Sequence, residues 1–441
     1  MFKSNITEHR MSNAKAKDFY IYENDVLRYE SHLNSFNEPL FVEFDEQSSK
    51  VDLSLKIQDL INGEIVNYSE NQAAFHPKYR SENFISIPSR LQAKDFKNIV
   101  ILGIGGSFEG PRLLIESLSK PSADQINHIF VTGSDPYEFK EKISLLNPHE
   151  TIFIISSKSF TTDETLETLK EAIKWSGDIE RFIAITANKG KAEKYGIKNI
   201  LEFDKEIGGR YSIWSDISMP ALCGNQSIFD SSDFLKGGRQ ADLDLENDDD
   251  YIKFIKYLSF SDIWMNNYNG KHTRAVLSYV WKLRSFANYV QQLEMESLGK
   301  HPNKNSKYKQ TGQIIFGGYG PTAQHSYFQL LHQGTQNICA DIIACLEDTE
   351  SLAYAQAITQ TKLLSSSAED LLADQERING NIPVNLFLLK KIDSFSLGYL
   401  IATWEHRTFI TATMLQINPF DQFGVSAGKI YTNKFLQGYE T

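Results

Sequence analysis

Cysteine is scarce in this chain. Its three residues in 441, Cys223, Cys339 and Cys345, sit apart in apolar surroundings, without the close pairing of a zinc site or a disulfide framework, and each reads as a small core residue. Positive charge is also short, with 45 Lys and Arg against 56 Asp and Glu, a balance of −11. No basic run is interleaved with aromatics, so nucleic acid is not an expected partner. A phosphorylated small molecule would need a local positive site to overcome the repulsive overall field. Long apolar runs are missing too. No stretch is long enough to cross a bilayer, and Met1 to Arg10 carry no apolar core of signal-peptide length, so the expectation is a cytoplasmic enzyme without membrane contact. The only dense charge block, Asp242 to Asp250, is acidic and reads as a solvated surface loop.

What is present is the composition of a folded protein, in a chain too long for one ordinary core. Residues 1–93 are mixed and polar, with a helical pattern from Leu53 to Ile61, and read as a support joining the second domain. From Asn98 onward, β-branched and aromatic runs at 99–102, 129–131, 152–155 and 182–185 alternate with helical patterns near 111–119, 137–146 and 163–175. That alternation predicts a parallel sheet covered on both faces, with binding turns at the carboxyl ends of its strands, in a first α/β domain over 94–230. Next comes a helical region from Tyr251 to Leu298, punctuated near Gly270 and stopped at Gly299. Strands near 314–316 and 337–346 follow, with a helix from about Thr322 to His332 between them, and the tail from Ser394 is mostly helical with a break at Asn418-Pro419-Phe420. Residues 231–441 thus read as a second α/β domain with a helical C-terminal extension.

The most informative stretch follows the third strand. Ser156-Ser157-Lys158-Ser159-Phe160-Thr161-Thr162 puts five hydroxyls and one lysine in seven residues, and Thr161 with Glu164 makes a capping box for the next helix. Hydroxyls, exposed backbone N–H groups and a cation at the positive end of a helix dipole are the parts that hold a phosphate dianion. The first strand ends in Gly103-Ile104-Gly105-Gly106-Ser107-Phe108. Phe108 stands where a dinucleotide fingerprint needs its third glycine, and Pro111-Arg112 follow Gly110 where a nucleotide P-loop needs Lys-Ser/Thr, so both readings are rejected. A glycine-rich turn beside Ser107 remains, able to approach the same phosphate as the Ser157 turn.

Three further stretches hold candidate chemistry. Gly208-Gly209-Arg210 offers a fixed guanidinium after two glycines, although alone it would read as an exposed arginine at the start of a helix. The run Gln291-Gln292-Leu293-Glu294-Met295-Glu296 closes a helix on which Glu294 and Glu296 lie about 200° apart, so at most one faces a given pocket. His325 and His332, about 10.5 Å apart along one helix, are too distant to share a metal ion. Gln422 and Lys429, seven residues apart, would share one face of a helix.

Taken together these blocks resemble phosphoglucose isomerase. GIGGS at 103–107, SSKSFTT at 156–162, GGRYSIWS at 208–215, QQLEMES at 291–297, QHSYFQLLHQGT at 324–335 and DQFGVSAGK at 421–429 follow that family's order. The resemblance implies two sugar-isomerase (SIS) three-layer αβα domains with parallel-rich sheets and terminal helical extensions. It also implies a homodimer whose site takes a histidine from the neighbouring subunit, and reversible interconversion of glucose 6-phosphate and fructose 6-phosphate with no metal or organic cofactor. By that likeness Ser107, Ser157, Lys158, Ser159 and Thr162 hold the phosphate, with Gly106 lining the site and Gln422 nearby. Glu296 is the base, Arg210 beside Gly209 stabilises an enediolate, and Gln292 lines the pocket. His325 from the second subunit and Lys429 open the sugar ring, with Glu164 in support. Ser159 and Leu298 replace the family's usual Thr and Asn, and Phe316 to Pro321 lack its usual Trp-Gly-Glu/Ala pattern. These departures bear on sugar selectivity. Tolerance of mannose 6-phosphate and a non-catalytic phosphosugar-binding SIS protein are the alternatives.

Overall fold

A computed structural model describes residues 20–32, 35–82, 89–92, 95–119, 126–218, 231–368 and 373–438. Its strands, in chain order, are β1 (Ile21–Glu23), β2 (Leu27–His32), β3 (Ile65–Asn67), β4 (Gln72–Ala73), β5 (Asn98–Leu102), β6 (Asn127–Val131), β7 (Thr151–Ser156), β8 (Phe182–Thr186), β9 (Asn199–Glu202), β10 (Thr273–Ser278), β11 (Ile314–Tyr319), β12 (Ile338–Cys345) and β13 (Val384–Leu389). One sheet has the order β6-β5-β7-β8-β9, with every pairing parallel. Alternate residues of its strands feed two different cores. Val100, Leu102, Phe153, Ile155, Phe182 and Ala184 pack with Leu169 and Ala172 of the helix Asp163–Ser176. Ile99, Ile101, Ile152, Ile154, Ile183 and Ile185 face the opposite side. Both faces are dry, which is why these strands read as unbroken apolar runs.

The second sheet has the order β1-β2-β13-β12-β10-β11, in which β10 to β13 are parallel and the N-terminal strands β1 and β2 pair antiparallel along one edge. Val276, Ile343, Phe387 and Leu389 join the same core as Ile99 and Ile154, so one apolar body connects the two sheets. The helix Ser394–Leu415 runs through it, buried on every side from Ser396 to Leu415. Its charged residues are paired. Arg407 donates to Asp262 (2.7 Å) and Asp341 (2.8 Å), His406 meets Asp242 (2.9 Å), and Glu405 accepts from the Trp214 indole (2.9 Å).

Several expectations are corrected. The acidic block is helical, not a loop, and while Glu246, Asp249 and Asp250 are exposed as expected, Asp242 lies buried in the helix Ser231–Asn247, paired with Arg80 at 3.0 Å, and Asp248 caps the helix Asp249–Asn267. The helical stretch predicted to run to Leu298 is interrupted by β10, whose apolar pattern is broken by the wholly buried Arg274. Only in the fold do Asp262 (2.6 Å), Glu294 and Asp341 neutralise that arginine. The helix over 322–332 is two short ones, Gly320–Gln324 and Phe328–Gln333, because Tyr327 turns inward to pack its ring against Phe316. The helix predicted from 111 begins earlier, at Gly106. The sequence pattern leaves β9, β13 and the helices Glu38–Lys50 and Leu352–Ser366 unassigned. Cys339 and Cys345 are buried on β12, and Cys223 lies outside the described residues. Among the described residues no helix is long and apolar enough to cross a membrane, and no His/Cys/Asp/Glu group could hold a metal ion.

Candidate active site

The carboxyl ends of β5 and β7 are neighbours, since Leu102 pairs with Ile155, and their turns are pressed together. A methyl group on Gly103 would meet the Ser156 carbonyl oxygen at 3.3 Å. Gly105 adopts φ +61° and caps the helix Gly106–Leu118, which places Ser107 in its first turn. In the second turn the Ser157 and Thr162 hydroxyls are 3.2 Å apart, and those of Ser159 and Thr161 are 2.6 Å apart. The helix begins at Asp163 with Thr162 as its cap residue, and the Thr162 hydroxyl faces Ser157 without capping a backbone N–H. The Thr161–Glu164 capping box is therefore not formed. Phe160 makes the reversal possible, with φ +49° and its ring buried. A left-handed backbone at a bulky residue is costly and persists where packing enforces it, here with the Phe160 ring edge-on to Tyr195.

Arg210 is 2% exposed, not the surface residue that its sequence neighbourhood suggests in isolation. It sits in the short 3-10 turn Gly209–Trp214, and that turn abuts the first glycine loop so closely that a methyl at Gly106 would lie 1.8 Å from the Gly209 carbonyl oxygen. The guanidinium is held by four hydrogen bonds. Nε donates to Ser297 Oγ (2.7 Å), one terminal nitrogen to Gln422 Oε1 (2.8 Å), and the other to the carbonyl oxygens of Pro419 and Asp421. Ser297 Oγ also meets the Tyr211 hydroxyl at 2.9 Å, and the Tyr211 ring stacks on His76.

Glu296 lies beside this cation. Its Oε2 is 3.4 Å from the Arg210 guanidinium and accepts from the Gln292 amide at 3.3 Å, one helical turn back. Glu294 faces the opposite way, buried against Arg274, so the helix Phe286–Leu298 sends one carboxylate to the site and one to the core. Lys300, just past the helix end, bonds Asp421 through both its backbone oxygen and its carboxylate (3.1 Å). Burial draws the Lys158 ammonium below its ordinary pKa; Glu70 and Asp204 oppose that effect and the charge of Arg210 adds to it. Burial likewise lowers Lys300, again with Arg210 contributing. Three cations thus converge in a chain of net charge −11.

Gln422 precedes the helix Ser426–Leu436 that carries Lys429, separated from it by a 3-10 turn, so the two do not share a helical face. Every residue of that helix, Lys429 included, is exposed. His325 is exposed at the end of the helix Gly320–Gln324, and Glu164 lies in the first turn of the helix after the hydroxyl-rich loop. His332 is held by Gln360 at 2.9 Å, an ordinary hydrogen-bonded histidine. Sequence reasoning misses Ser297, Tyr211, Lys300 and the distant Asn67 and Ser69, whose polar atoms hold Asn418 and Asp421. Ser297 and Lys300 carried one signal, their position within four residues of Glu296.

A family model described as phosphoglucose isomerase matches residues 88–441. The glucose-6-phosphate isomerase of Legionella pneumophila (strain Lens) is 34% identical over 418 residues, covering 87% of this chain and 83% of its own. That of Shewanella sp. (strain ANA-3) is 34% identical over 456 residues, covering 88% and 83%. Among solved structures, a glucose-6-phosphate isomerase from Chlamydia trachomatis D/UW-3/Cx has a TM-score of 0.84 at 24% identity, covering 95% of this chain and 89% of that one. The fold is therefore the α/β arrangement of two parallel-rich sheets expected from the resemblance. With a family model spanning most of its length and relatives at about a third identity across more than four fifths of both chains, the protein belongs to the phosphoglucose isomerase family of isomerase enzymes.

Proposed function

We propose that this protein interconverts D-glucose 6-phosphate and D-fructose 6-phosphate through an enediolate, with Glu296 as the general base. The observation that carries this is the pairing of the Glu296 carboxylate with the Arg210 guanidinium, 3.4 Å apart beside the two phosphate-type turns. The C2 hydrogen of the open-chain aldose is weakly acidic. Glu296 takes that proton, the C–H electron pair becomes the C1=C2 bond, and negative charge develops on O1. The proton then returns to C1 as the O2 hydroxyl proton passes to O1, so the C2=O2 carbonyl forms, O1 becomes a hydroxyl and the ketose is left. Arg210 compensates the oxyanion, and Gln292 orients the base. Such positioned proton transfer contributes about 10²–10⁴-fold, with electrostatic stabilisation of the oxyanion often worth as much.

In this reading Ser107, Ser157, Lys158, Ser159 and Thr162, with Gly106 and Gln422, hold the phosphate and fix the reacting carbons. His325 of a second copy and Lys429 open the ring, supported by Glu164. The exposure of His325 fits its delivery from a second copy, in a cytoplasmic homodimer. The test is turnover of fructose 6-phosphate, coupled to glucose-6-phosphate dehydrogenase, for the native chain and Glu296→Gln. The native chain should turn over, and the variant should bind the sugar phosphate yet lose nearly all activity. Undiminished turnover in Glu296→Gln would remove the base.

A further inference from the structure

The segment from Pro419 to Gln422 supplies three acceptors to Arg210, yet it lies at the start of a tail exposed throughout from Gln422 to Gly438. A cavity of about 730 Å³, lined by Gly299, Lys300, Asn303, Gln416, Asp421 and Phe423, runs alongside it, so apolar packing on that side cannot hold it in place. From the core side the buried Phe420 ring packs against His76, Tyr211 and Phe409, and polar contacts fix the residues on either side of it. Asn418 Nδ2 donates to Asn67 Oδ1 (2.8 Å) and Ser69 Oγ (2.7 Å), and Ser69 Oγ donates to Asp421 Oδ2 (2.7 Å). From the opposite side Lys300 donates to the Asp421 backbone oxygen and meets its carboxylate at 3.1 Å. The Asp421 backbone oxygen therefore accepts from both Lys300 and Arg210. The Lys300 and Asp421 side chains are only 15% and 13% exposed, a setting where a hydrogen-bonded ion pair outweighs its surface equivalent.

We infer that Lys300 is a positioning residue for the isomerisation: its ammonium pins Asp421, so that the 419–422 segment holds the Arg210 guanidinium next to Glu296. The inference rests on the reading of Arg210 and Glu296 given above. Glu296, Ser297 and Lys300 then form one unit at a helix end, providing the base, the anchor of Arg210 Nε and the anchor of the strap over its terminal nitrogens. Of the residues assigned to the phosphate only Gln422 belongs to this strap, and Ser107, Ser157 and Thr162 make none of these contacts, so losing Lys300 should lower kcat far more than it raises KM.

The experiment measures kcat and KM for fructose 6-phosphate in the native chain, Lys300→Met and Lys300→Arg, with folding followed by circular dichroism. Lys300→Met should lower kcat about 10- to 100-fold, the equivalent of one charged hydrogen bond, with KM changed less than about threefold. Lys300→Arg, which keeps the charge, should recover most of the loss. Asp421→Ala serves as the second variant should Lys300→Met not fold, and the same split is expected from it. A native chain without turnover overturns the functional reading itself. An active native chain beside a folded variant with unchanged kcat, or with only KM raised, overturns the positioning role alone.

Discussion

Adding one methyl group at Gly106 separates the contribution of loop contact from that of the catalytic side chains. The new Cβ would lie 1.8 Å from the Gly209 carbonyl oxygen, whereas real Cβ atoms essentially never approach closer than 3.0 Å. The two loops must therefore part by about 1.2 Å, the difference between those two distances. Neither side yields easily. Gly106 is the first residue of a helix, and Gly209 opens the turn whose next residue, Arg210, is bonded through Nε, through Gln422 and through two backbone carbonyl oxygens. Overpacking of this kind costs about 1–3 kcal/mol of stability. A shift of about 1 Å between reacting groups costs on the order of 10²-fold in rate. Gly106→Ala should therefore remain folded with a lower melting temperature and lose about 100-fold in kcat/KM, measured by the coupled fructose 6-phosphate assay. Gly190→Ala is the control, since its methyl would meet nothing within 4 Å in the helix Lys189–Glu193, and it should keep full activity. Native kcat/KM and melting temperature in Gly106→Ala would show that these loops are not held by contact, and the geometry drawn for the site would fail with them.

Two further expectations concern the buried polar core. Arg407→Met removes one of the two arginines, with Arg274, that pair with the buried Asp262 and Asp341, and should cost about 3–5 kcal/mol in denaturant unfolding; a loss under about 1 kcal/mol would mean that Arg274 alone compensates both carboxylates. Burial raises the Glu405 carboxyl from 4.5 to about 7, with Arg80 and Trp214 opposing the rise and Asp242 adding to it. Between those two values the folded chain keeps a proton that the unfolded chain releases, so stability from this group is present below pH 4.5 and is lost as pH rises through 7. The native chain should therefore lose about 3 kcal/mol relative to Glu405→Gln between pH 4.5 and 7 and run parallel to it above; a difference independent of pH would contradict the burial account.

Much of the architecture was legible because its signals are local. Four of the five strands of the first sheet announce themselves through unbroken β-branched and aromatic runs, and they begin and end within two residues of the predicted limits. The opposed directions of Glu294 and Glu296 follow from helical geometry alone, and the two side chains do go separate ways. The failures share a cause. β10 carries a buried arginine and the acidic block a buried aspartate; each reads as surface until the carboxylates or the arginine that neutralise it are brought alongside.

By itself, then, the order of residues determined where the first four strands of the α/β alternation and their glycine turns form, that at most one of Glu294 and Glu296 can face a given pocket, and which family the six blocks resemble, since each depends on spacing along one segment. Tertiary structure alone decided that Arg210 is buried and held by four hydrogen bonds, that Gly106 and Gly209 touch, and that Lys300, Asp421 and Ser69 form one clamp. Those contacts join segments far apart in the chain. No local periodicity encodes them, because the low-dielectric surroundings that make a buried charge pair favourable exist only once the core has closed.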